Sequence, residues 1–568
     1  MTSKLAARAS RLAGASALVL ALAAMPALTQ TTVTGTTAGT AVGTSMGAIA
    51  GARGLRGGLN DLDLAVSPFA RAVAEAAGED AGISAFYRDR DYAPIWTGPD
   101  DAERRTALLS ALARAGEHGL PVGRYDPEGL IAAFHAVRDE RDRGLLEVKM
   151  SRVFLRYGRD LTSGVLEPAQ LAPDHFKRTL PRPDPETLLA AMADGPPVAA
   201  LRDLVPQAPE YARLMRARVQ LQAQIDLGGW GPRVQAEALR PGDAGPAVLA
   251  LRNRLIAMGY LDRSATATYD STIEAAVTRF QVVHGLLADG VAGRATLAAI
   301  NVEPEERMKS VLVALERERW LNIPRGERHI WVNLTDFSSR IVDSDRITFE
   351  TSSIIGERKD ETQTPEFSEL MTYLEINPDW TVPRSIVGRT YLAAMQANPY
   401  AHPQFEVIDG AGRVVPREMI DFSAYTARTM PFNLRQPPGP SNPLGKVKFM
   451  FPNPWAIYLH DTPTVSLFNT EVRAHSNGCI RLQDPEEFAH VLLAAQSDDP
   501  VGLFHRIWRS GEQTRVFLDD PVPVHLVYRT AFTDARGVLN FRNDVYGRDA
   551  MLFAALMRAG VAFERPGS

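Results

Sequence analysis

The spacing of apolar residues changes once along this chain, near residue 328, and this change constrains the fold more than any other feature. Before it, apolar residues recur three and four positions apart, as at Leu108, Leu109 and Leu112, which is typical of amphipathic helices. After it, segments 330–334 and 346–349 have strand length and are alternately or continuously apolar. The sequence therefore predicts an α+β protein whose helices precede its strands.

Length and charge limit the number of domains and the kinds of partner. The chain has 568 residues, and domains usually contain about 100 to 200 residues, so three or four domains with separate cores are expected. The 62 Lys and Arg residues against 67 Asp and Glu residues give a net charge of −5. Because phosphate binding needs clustered Lys and Arg, we expect no nucleic-acid partner.

The first sixty residues predict export followed by a flexible tether. Lys4, Arg8 and Arg11 precede the uncharged stretch 12–28, which is the order of the basic and apolar regions in a secretory signal. The stretch barely reaches the ~17 residues of a membrane span, and its cleavage site is weak, so removal of residues 1–30 and their retention as an inner-membrane anchor remain alternatives. Residues 31–60, rich in Thr, Gly and Ala, are expected to form a flexible linker.

Changes in composition, together with Gly and Pro residues that interrupt helices and strands, divide the rest of the chain into further segments. The segment 239–301 carries shorter helical patterns than its neighbours, with an N-cap expected near Asp270. The proline-rich stretch at about 388–440 is expected to be a mobile insertion above a site. The predicted segments are a helical domain (61–235), a three-helix module (239–301), a linking helix (303–327), a β-rich domain (328–510) and a C-terminal segment packed on the body (511–568).

Cys479 is the only cysteine in the chain. A single thiol forms neither an intrachain disulfide nor a Cys-rich zinc site, and we expect no metal. In an exported protein an unpaired thiol is open to oxidation, so its presence favours a reactive role. The alternative is that Cys479 packs as a small buried hydrophobic residue.

A nucleophilic thiol needs a neighbouring base or cation, because the neutral thiol is mostly protonated near pH 7. His460 ends a predicted strand that begins at Ala456, and His475 lies four residues before Cys479. In an extended loop the His475 side chain would point away from the thiol. We therefore predict His460 as the general base, with an ordinary surface imidazole as the alternative for either histidine.

The residues beside Cys479 suggest how an oxyanion and a substrate would be bound. Gly478 has no side chain and permits an unusual backbone angle, so the amides of Asn477, Gly478 and Cys479 are candidate oxyanion donors. Arg473 and Arg481 add positive charge that would lower the thiol pKa and attract a carboxylate-bearing substrate. A structural ion pair is an equal alternative for either arginine.

These residues resemble the catalytic motif of the L,D-transpeptidases, the YkuD-type family. That motif is a His, a short spacer, Ser or Thr, a variable residue, Gly, Cys, one residue, and Arg or Asn. Asn477 is a departure, because many members have His there. Other blocks, such as Thr364-Pro365-x-Phe367, also resemble the family, and the motif in this chain is His460 followed by Ser476-Asn477-Gly478-Cys479-Ile480-Arg481.

The segment 239–301 resembles the peptidoglycan-binding domain found in many cell-wall enzymes. The resemblance lies in Gly242-Asp243-x-Gly245-Pro246, in Phe280-Gln281 and in Asp289-Gly290. Together the two resemblances imply a multidomain α+β architecture: a helical scaffold domain, a small three-helix peptidoglycan-binding domain, and a mainly β L,D-transpeptidase catalytic domain with a capping insertion.

The resemblance also implies an activity. Cys479 would attack the peptide bond after the third residue of a tetrapeptide stem and release D-Ala, with His460 as base and Gly478 in the oxyanion site. The resulting thioester would pass to the side-chain amine of a second stem, which gives a 3,3 cross-link. Donor and acceptor stem peptides would be the partners, without a cofactor. Tyr458, Arg473, Ser476, Asn477 and Arg481 are the expected substrate-binding residues.

A periplasmic location and acylation by carbapenem inhibitors follow from the same resemblance. Two other functions remain open. The first is an L,D-carboxypeptidase or cross-link hydrolase that uses the same cysteine with water as acceptor. The second is a noncatalytic wall-binding scaffold protein, against which the intact His460, Gly478, Cys479 and Arg481 argue.

Overall fold

The computed structural model describes residues 67–562. The predicted export signal at 1–30 and the linker at 31–60 lie outside the described residues. Within residues 67–562, no helix is both long enough and apolar enough to cross a membrane.

The region that precedes the β domain is helical, as predicted. Its core includes the fully buried Tyr87, Trp96 and Phe154. Most of its helices begin with proline, whose fixed φ and missing N–H suit the first turn. The helices are Pro68–Ala77, Ala81–Asp89, Ala102–Ala113, Pro127–Ala136, Glu140–Ser163, Pro168–Leu171, Pro185–Asp194, Pro197–Asp203 and Pro209–Asp226.

The segment predicted as a three-helix module contains the helices Pro246–Ala257, Ser271–Val283 and Arg294–Ile300. The predicted N-cap is present, since the Asp270 side chain accepts hydrogen bonds from the backbone amides of Thr272 and Ile273. The module also contacts the C-terminal part of the chain. Arg542 donates to the carbonyl of Val283 (2.8 Å).

The linking helix Pro304–Trp320 is largely buried between these regions. Arg317 forms an ion pair with Asp549 (2.5 Å), and Asp549 belongs to the C-terminal helix Arg548–Arg558. Because both partners are buried, removing one of them would leave an uncompensated charge. The helix is therefore an internal support of the molecule as well as a connection.

The β domain is built around a sheet of nine strands. The strands are β1 (Arg328–Asn333), β2 (Ser338–Asp343), β3 (Arg346–Gly356), β4 (Phe367–Ile376), β8 (Val447–Met450), β9 (Leu459–His460), β10 (Ala474–Ser476), β11 (Ile480–Leu482) and β12 (Thr514–Val527). Strand β3 pairs with both β2 and β11, so eight strands close into a ring in the order β3-β11-β9-β8-β4-β12-β1-β2, and β10 also pairs with β3.

Strand β12 corrects the predicted end of the β domain at residue 510. It lies between β4 and β1 in the ring, parallel to β1 and antiparallel to β4, so the segment 511–568 begins as part of the sheet and is more than a tail packed on it. The register of β12 shifts between Phe517 and Val522, where acidic residues and prolines interrupt the apolar pattern. This irregularity hid the strand in the sequence.

Smaller elements complete the domain. The helices Pro485–Leu493 and Pro500–Ser510 contribute Phe488 and Phe504 to the core of the sheet. A short hairpin of β13 (Ala531–Thr533) and β14 (Leu539–Phe541) follows β12.

The predicted insertion forms a small subdomain, the cap, between β4 and β8. It has its own core, which includes Trp380, Met395 and Leu434. Its helical turns run from Arg384 to Ala397 with a π-helical segment at Val387–Tyr391. Its strands are β5 (Trp380–Thr381), β6 (Glu406–Ile408) and β7 (Asn433–Gln436).

Candidate active site

Strand alternation places the predicted catalytic residues on one face of the sheet. In the parallel pair of β9 and β11, Arg481 lies opposite His460 and Ile480 lies opposite Leu459. Leu459 and Ile480 are fully buried in the core. Since successive side chains point to opposite faces, His460 and Arg481 share the other face.

The same alternation adds two residues to this face. Cys479 precedes Ile480, and the Ile480 amide donates to the carbonyl of Tyr458 (3.0 Å). Tyr458 and Cys479 each directly precede a residue of the buried pair Leu459 and Ile480. Their side chains therefore lie on the same face as that of His460. We call Tyr458, His460, Cys479 and Arg481 the motif wall.

The motif wall lines one side of a cavity of about 760 Å³. The cavity also receives side chains from the cap and from the helical region. Its lining includes Asp174, His175, Lys177, Asp360, Glu361, Trp380, Ile386, Arg389, Lys448, Trp455, Ala456, Tyr458, His460, Ser476, Asn477, Gly478, Cys479 and Arg481.

The Cys479 thiol is free and only partly exposed. It donates a long hydrogen bond to the carbonyl of Ala456 (3.6 Å). Burial raises the pKa of the Cys479 thiol, and hydrogen bonds from Tyr458 together with the charges of Lys448 and Arg481 oppose that rise. The resting side chain is therefore mainly a thiol that needs a base to become a nucleophile.

His460 is oriented as a base. Its Nδ1–H donates to the carbonyl of Asp461, and a carbonyl can only accept, so the neutral ring carries its proton on Nδ1 and leaves Nε2 as the acceptor. Burial, followed by the charge of Arg481, lowers the pKa of His460 to about 3. Lys448 lies opposite His460 on β8 and adds to the same effect. His460 is thus neutral near pH 7.

The loop that carries the thiol is held by hydrogen bonds within the loop and by one hydrogen bond from Thr364. Ser476 Oγ accepts from the Gly478 amide (3.0 Å) and donates to the Cys479 carbonyl (2.6 Å). Gly478 has a φ of 120°, a conformation that a side chain would strain. The Gly478 carbonyl accepts from the hydroxyl of Thr364 (2.7 Å). Of the three predicted oxyanion donors, the Gly478 amide is therefore already engaged.

The cap contacts the motif directly. Arg389 donates to the side-chain oxygen of Asn477 (3.0 Å), and both residues line the cavity. Asn477, which stands where many L,D-transpeptidases have His, therefore contacts the cap. Sequence reasoning missed Arg389, because nothing in the proline-rich insertion distinguished it from other arginines.

The helical region supplies a second side, which we call the helical wall: Asp174, His175 and Lys177. A backbone bridge fixes this segment to the start of β4, since Lys177 N donates to Glu366 O (2.9 Å) and Glu366 N donates to His175 O (2.8 Å). The Lys177 ammonium lies 5.7 Å from the centre of the Trp455 ring. No motif in the sequence marked these residues.

Two predicted residues lie elsewhere. His475 is exposed and contacts the Thr470 hydroxyl (3.2 Å), so it is not part of the cavity lining. The Arg473 guanidinium stacks over the Phe337 ring at 5.3 Å and is also outside that lining. Neither the second histidine nor the first arginine is brought to the thiol.

Within residues 67–562, no group of His, Cys, Asp and Glu is arranged to hold a metal ion. The lining of the cavity supplies a thiol, an imidazole, hydroxyl groups and charged side chains.

Comparison with known families agrees with this site. Residues 327–522 match the family model of the L,D-transpeptidase catalytic domain. Residues 244–300 match that of a peptidoglycan binding domain, and residues 81–217 match that of a scaffold domain. The chain thus carries an L,D-transpeptidase (YkuD) catalytic domain and a peptidoglycan-binding domain, and the predicted α+β multidomain architecture is confirmed.

One curated relative is a protein of Haemophilus influenzae described as an L,D-transpeptidase. It is 28% identical over 242 residues, which are 42% of this chain and 48% of the relative. The chain therefore spans about half the length of the curated relative it matches.

Crystal structures of L,D-transpeptidases from Xylanimonas cellulosilytica and Stackebrandtia nassauensis were also found. The first is 16% identical, covers 52% of this chain and 98% of its own, and has a TM-score of 0.16. The second is 14% identical, covers 52% of this chain and 97% of its own, and has a TM-score of 0.20. The assignment rests on the family models and the curated relative.

Proposed function

We propose that this protein is a peptidoglycan L,D-transpeptidase that forms 3,3 cross-links through a thioester at Cys479. One observation carries the proposal: the sole cysteine and a neutral, oriented histidine share a face of the sheet and line one cavity. A nucleophile with a positioned base is the requirement for acyl transfer by a thiol.

In the first half-reaction, His460 Nε2 removes the Cys479 proton and the sulfur attacks the carbonyl carbon of the third stem residue. The C–N bond to D-Ala breaks, and the departing amine takes the proton from His460. In the second half-reaction, the side-chain amine of another stem attacks the thioester and gives its proton to His460. The C–S bond breaks and the thiol is restored.

The low pKa of His460 makes it a weak base in the empty site, and the substrate would correct this. The Arg481 charge is a named cause of that low pKa. A stem carboxylate that pairs with Arg481 would offset its charge and raise the pKa of His460 toward the working pH, where a general base is most effective. Binding of the correct substrate would thereby activate the base.

The charges of the cavity suit an anionic donor and an amine acceptor. Lys448 and Arg481 flank His460, and Arg389 lies on the cap. The other side carries the carboxylates of Asp174, Asp360 and Glu361, with the Lys177 ammonium beside them. These carboxylates favour an amine acceptor over water, and so favour transpeptidation over the carboxypeptidase or hydrolase alternative.

The proposal includes a location and an inhibitor. The peptidoglycan-acting domains support a location in the cell envelope. The basic and apolar N-terminal sequence supports export to the periplasm, with an inner-membrane anchor if that segment is retained. A carbapenem would acylate Cys479, because opening its strained ring by the thiolate follows the first half-reaction without a departing amine.

Incubation of the purified protein with a soluble tetrapeptide stem, followed by mass spectrometry, tests this function. We expect a dimer that has lost one D-Ala and whose bridge joins the third residues of both stems. A tripeptide as the sole product would support the hydrolase instead. No turnover by wild type, with the same result for Cys479→Ala, would support the noncatalytic scaffold.

A further inference from the structure

We infer that Thr364 and Tyr546 are positioning residues that aim the Cys479 amide at the oxyanion of the acyl-transfer step. The inference rests on the proposed function and deepens it. It concerns one buried chain of hydrogen bonds that runs from the C-terminal segment, beyond the residues matched by the catalytic family model, to the peptide bond in front of the nucleophile.

The first step concerns the Gly478–Cys479 peptide bond. Its carbonyl accepts the hydroxyl of Thr364 at 2.7 Å. Thr364 is completely buried and does not line the cavity, so the carbonyl points into the protein. No peptide bond in residues 67–562 is cis. In a planar trans peptide the N–H points opposite to the C=O, and the Cys479 amide is therefore directed away from Thr364, to the side of the thiol and the cavity.

The second step concerns the direction of the Thr364 proton. Thr364 Oγ1 also accepts a hydrogen bond from the Gly356 amide (2.9 Å). An amide can only donate, so the single hydroxyl proton is left for the Gly478 carbonyl. Thr364 therefore has a defined donor and acceptor arrangement, and it ties the end of β3 to the loop of the nucleophile.

The third step brings in the C-terminal segment. The Tyr546 hydroxyl donates to the Gly356 carbonyl (2.7 Å) and accepts from the Thr364 amide (3.3 Å). Arg548 donates to the Thr364 carbonyl (2.8 Å). The backbone of Thr364 is thus held on both sides by residues almost two hundred positions later in the chain.

This arrangement makes the Cys479 amide the oxyanion donor whose direction is fixed by the buried chain of hydrogen bonds. The Gly478 amide donates to Ser476 Oγ. A donor whose direction is fixed before reaction stabilises developing charge without reorganisation. Thr364 sets that direction and Tyr546 fixes Thr364, and neither residue needs to touch the substrate.

Two reactions of the same thiol distinguish positioning from general support of the fold. Acylation by a carbapenem passes through an oxyanion, whereas alkylation by iodoacetamide is a displacement at saturated carbon and forms none. Both products are measured on intact protein by mass. The variants are Thr364→Val, Thr364→Ser and Tyr546→Phe, and the ratio of the acylation rate to the alkylation rate is the readout.

We expect Thr364→Val to lower acylation by about 10- to 100-fold, below the full loss of an oxyanion donor, while alkylation changes less than about twofold. Thr364→Ser should restore most of the acylation rate because it restores the hydroxyl. Tyr546→Phe should lower acylation by about 3- to 10-fold, since it removes an indirect contact. Unchanged acylation in Thr364→Val, or an equal fall of acylation and alkylation, would overturn the inference.

Buried hydroxyls elsewhere provide matched controls. Tyr269 donates to the Gly290 carbonyl (2.7 Å) in the peptidoglycan-binding domain, and Thr335 donates to the Arg529 carbonyl in the β1–β2 turn. Tyr269→Phe and Thr335→Val should leave the ratio unchanged. If Thr364→Val does not fold, the ratio measured for Tyr546→Phe decides the matter, and an unchanged ratio in that variant would overturn the inference. A wild-type protein that is alkylated but never acylated would refute the proposed function itself.

Discussion

The motif wall and the helical wall face the same cavity but are built in different ways. The residues of the motif wall lie in, or directly before, two short paired strands, β9 and β11, which are close together in sequence. Lys177 comes from the helical region and reaches the cavity through a backbone bridge to Glu366. Under the proposed function, the bond-breaking chemistry is local in the chain, whereas part of the substrate contact comes from a distant region.

Among substitutions in the two walls, loss of the nucleophile should have the largest effect on activity. Cys479→Ala should abolish cross-linking of soluble stems, because no other thiol exists in the chain. The fold should be retained, since the side chain is small and partly exposed and its hydrogen bond to the Ala456 carbonyl is long (3.6 Å). Mass spectrometry of the products, with a thermal melt as control, checks both statements. Residual cross-linking would show that the reaction does not depend on the thiol of the motif wall.

Loss of the base is the next largest effect. His460→Ala should lower the single-turnover acylation rate by ~10²- to 10⁴-fold, because thiol deprotonation and proton return to the leaving amine are both lost. His475→Ala is the matched control, since that imidazole is exposed and contacts Thr470. If the two histidines showed the reverse order, the assignment of His460 as base would be wrong.

A smaller effect is expected on the helical wall. The Lys177 side chain is 17% exposed and its ion-pair partner Asp174 is 91% exposed, so the pair is weak and Lys177 remains able to bind a stem carboxylate. Lys177→Gln should raise KM for the donor stem by about 2- to 5-fold, the range of a partly exposed ionic contact, and leave kcat nearly unchanged. A fall in kcat alone would place Lys177 in the chemistry instead.

Lys149→Gln is the matched control for that substitution. Lys149 is an exposed lysine on the helix Glu140–Ser163 of the same helical region, and it is absent from the cavity lining. Its KM should equal that of wild type. An equal rise in both variants would show an effect of overall charge rather than a contact in the cavity.

The smallest expected effect is that of pH on the acylation rate. Because the pKa of His460 is lowered to about 3, the imidazole stays neutral above that value, and protonation does not compete with its role as base near neutral pH. The second-order rate constant of carbapenem acylation, which reports the free protein, should therefore change little between about pH 5 and about pH 8, whereas an ordinary histidine would cause a fall near pH 6.5. Stopped-flow acylation rates check this, and a midpoint near 6.5 would contradict the buried environment of His460.

The sequence predicted the motif wall because its information is local. The spacing of His460 and Cys479 and the glycine at 478 reflect paired strands and one loop, so a resemblance over a short stretch was sufficient. Arg473 shows the limit of that reasoning: it lies in the same stretch, yet its guanidinium packs on Phe337. Proximity in sequence does not determine on which side of a strand or loop a side chain falls.

The helical wall and the positioning residues depend on long-range contacts. Lys177 meets Trp455, and Tyr546 meets Gly356, across separations for which no periodicity or local motif carries information. Strand β12 was missed for a different reason, because its irregular register breaks the apolar alternation. These long-range contacts and the irregular pairing of β12 can be recognised only in the folded structure.

Trapping the acyl-enzyme tests the central claim most directly. Wild-type protein is mixed with a donor tetrapeptide whose side-chain amine is blocked, so that no acceptor is present, and the protein is then quenched in acid, digested and mapped by mass spectrometry. We predict a thioester of the tripeptide acyl group on the peptide that contains Cys479, which disappears when an amine acceptor is added. An acyl group on any other residue, or D-Ala release by the Cys479→Ala variant, would contradict the account.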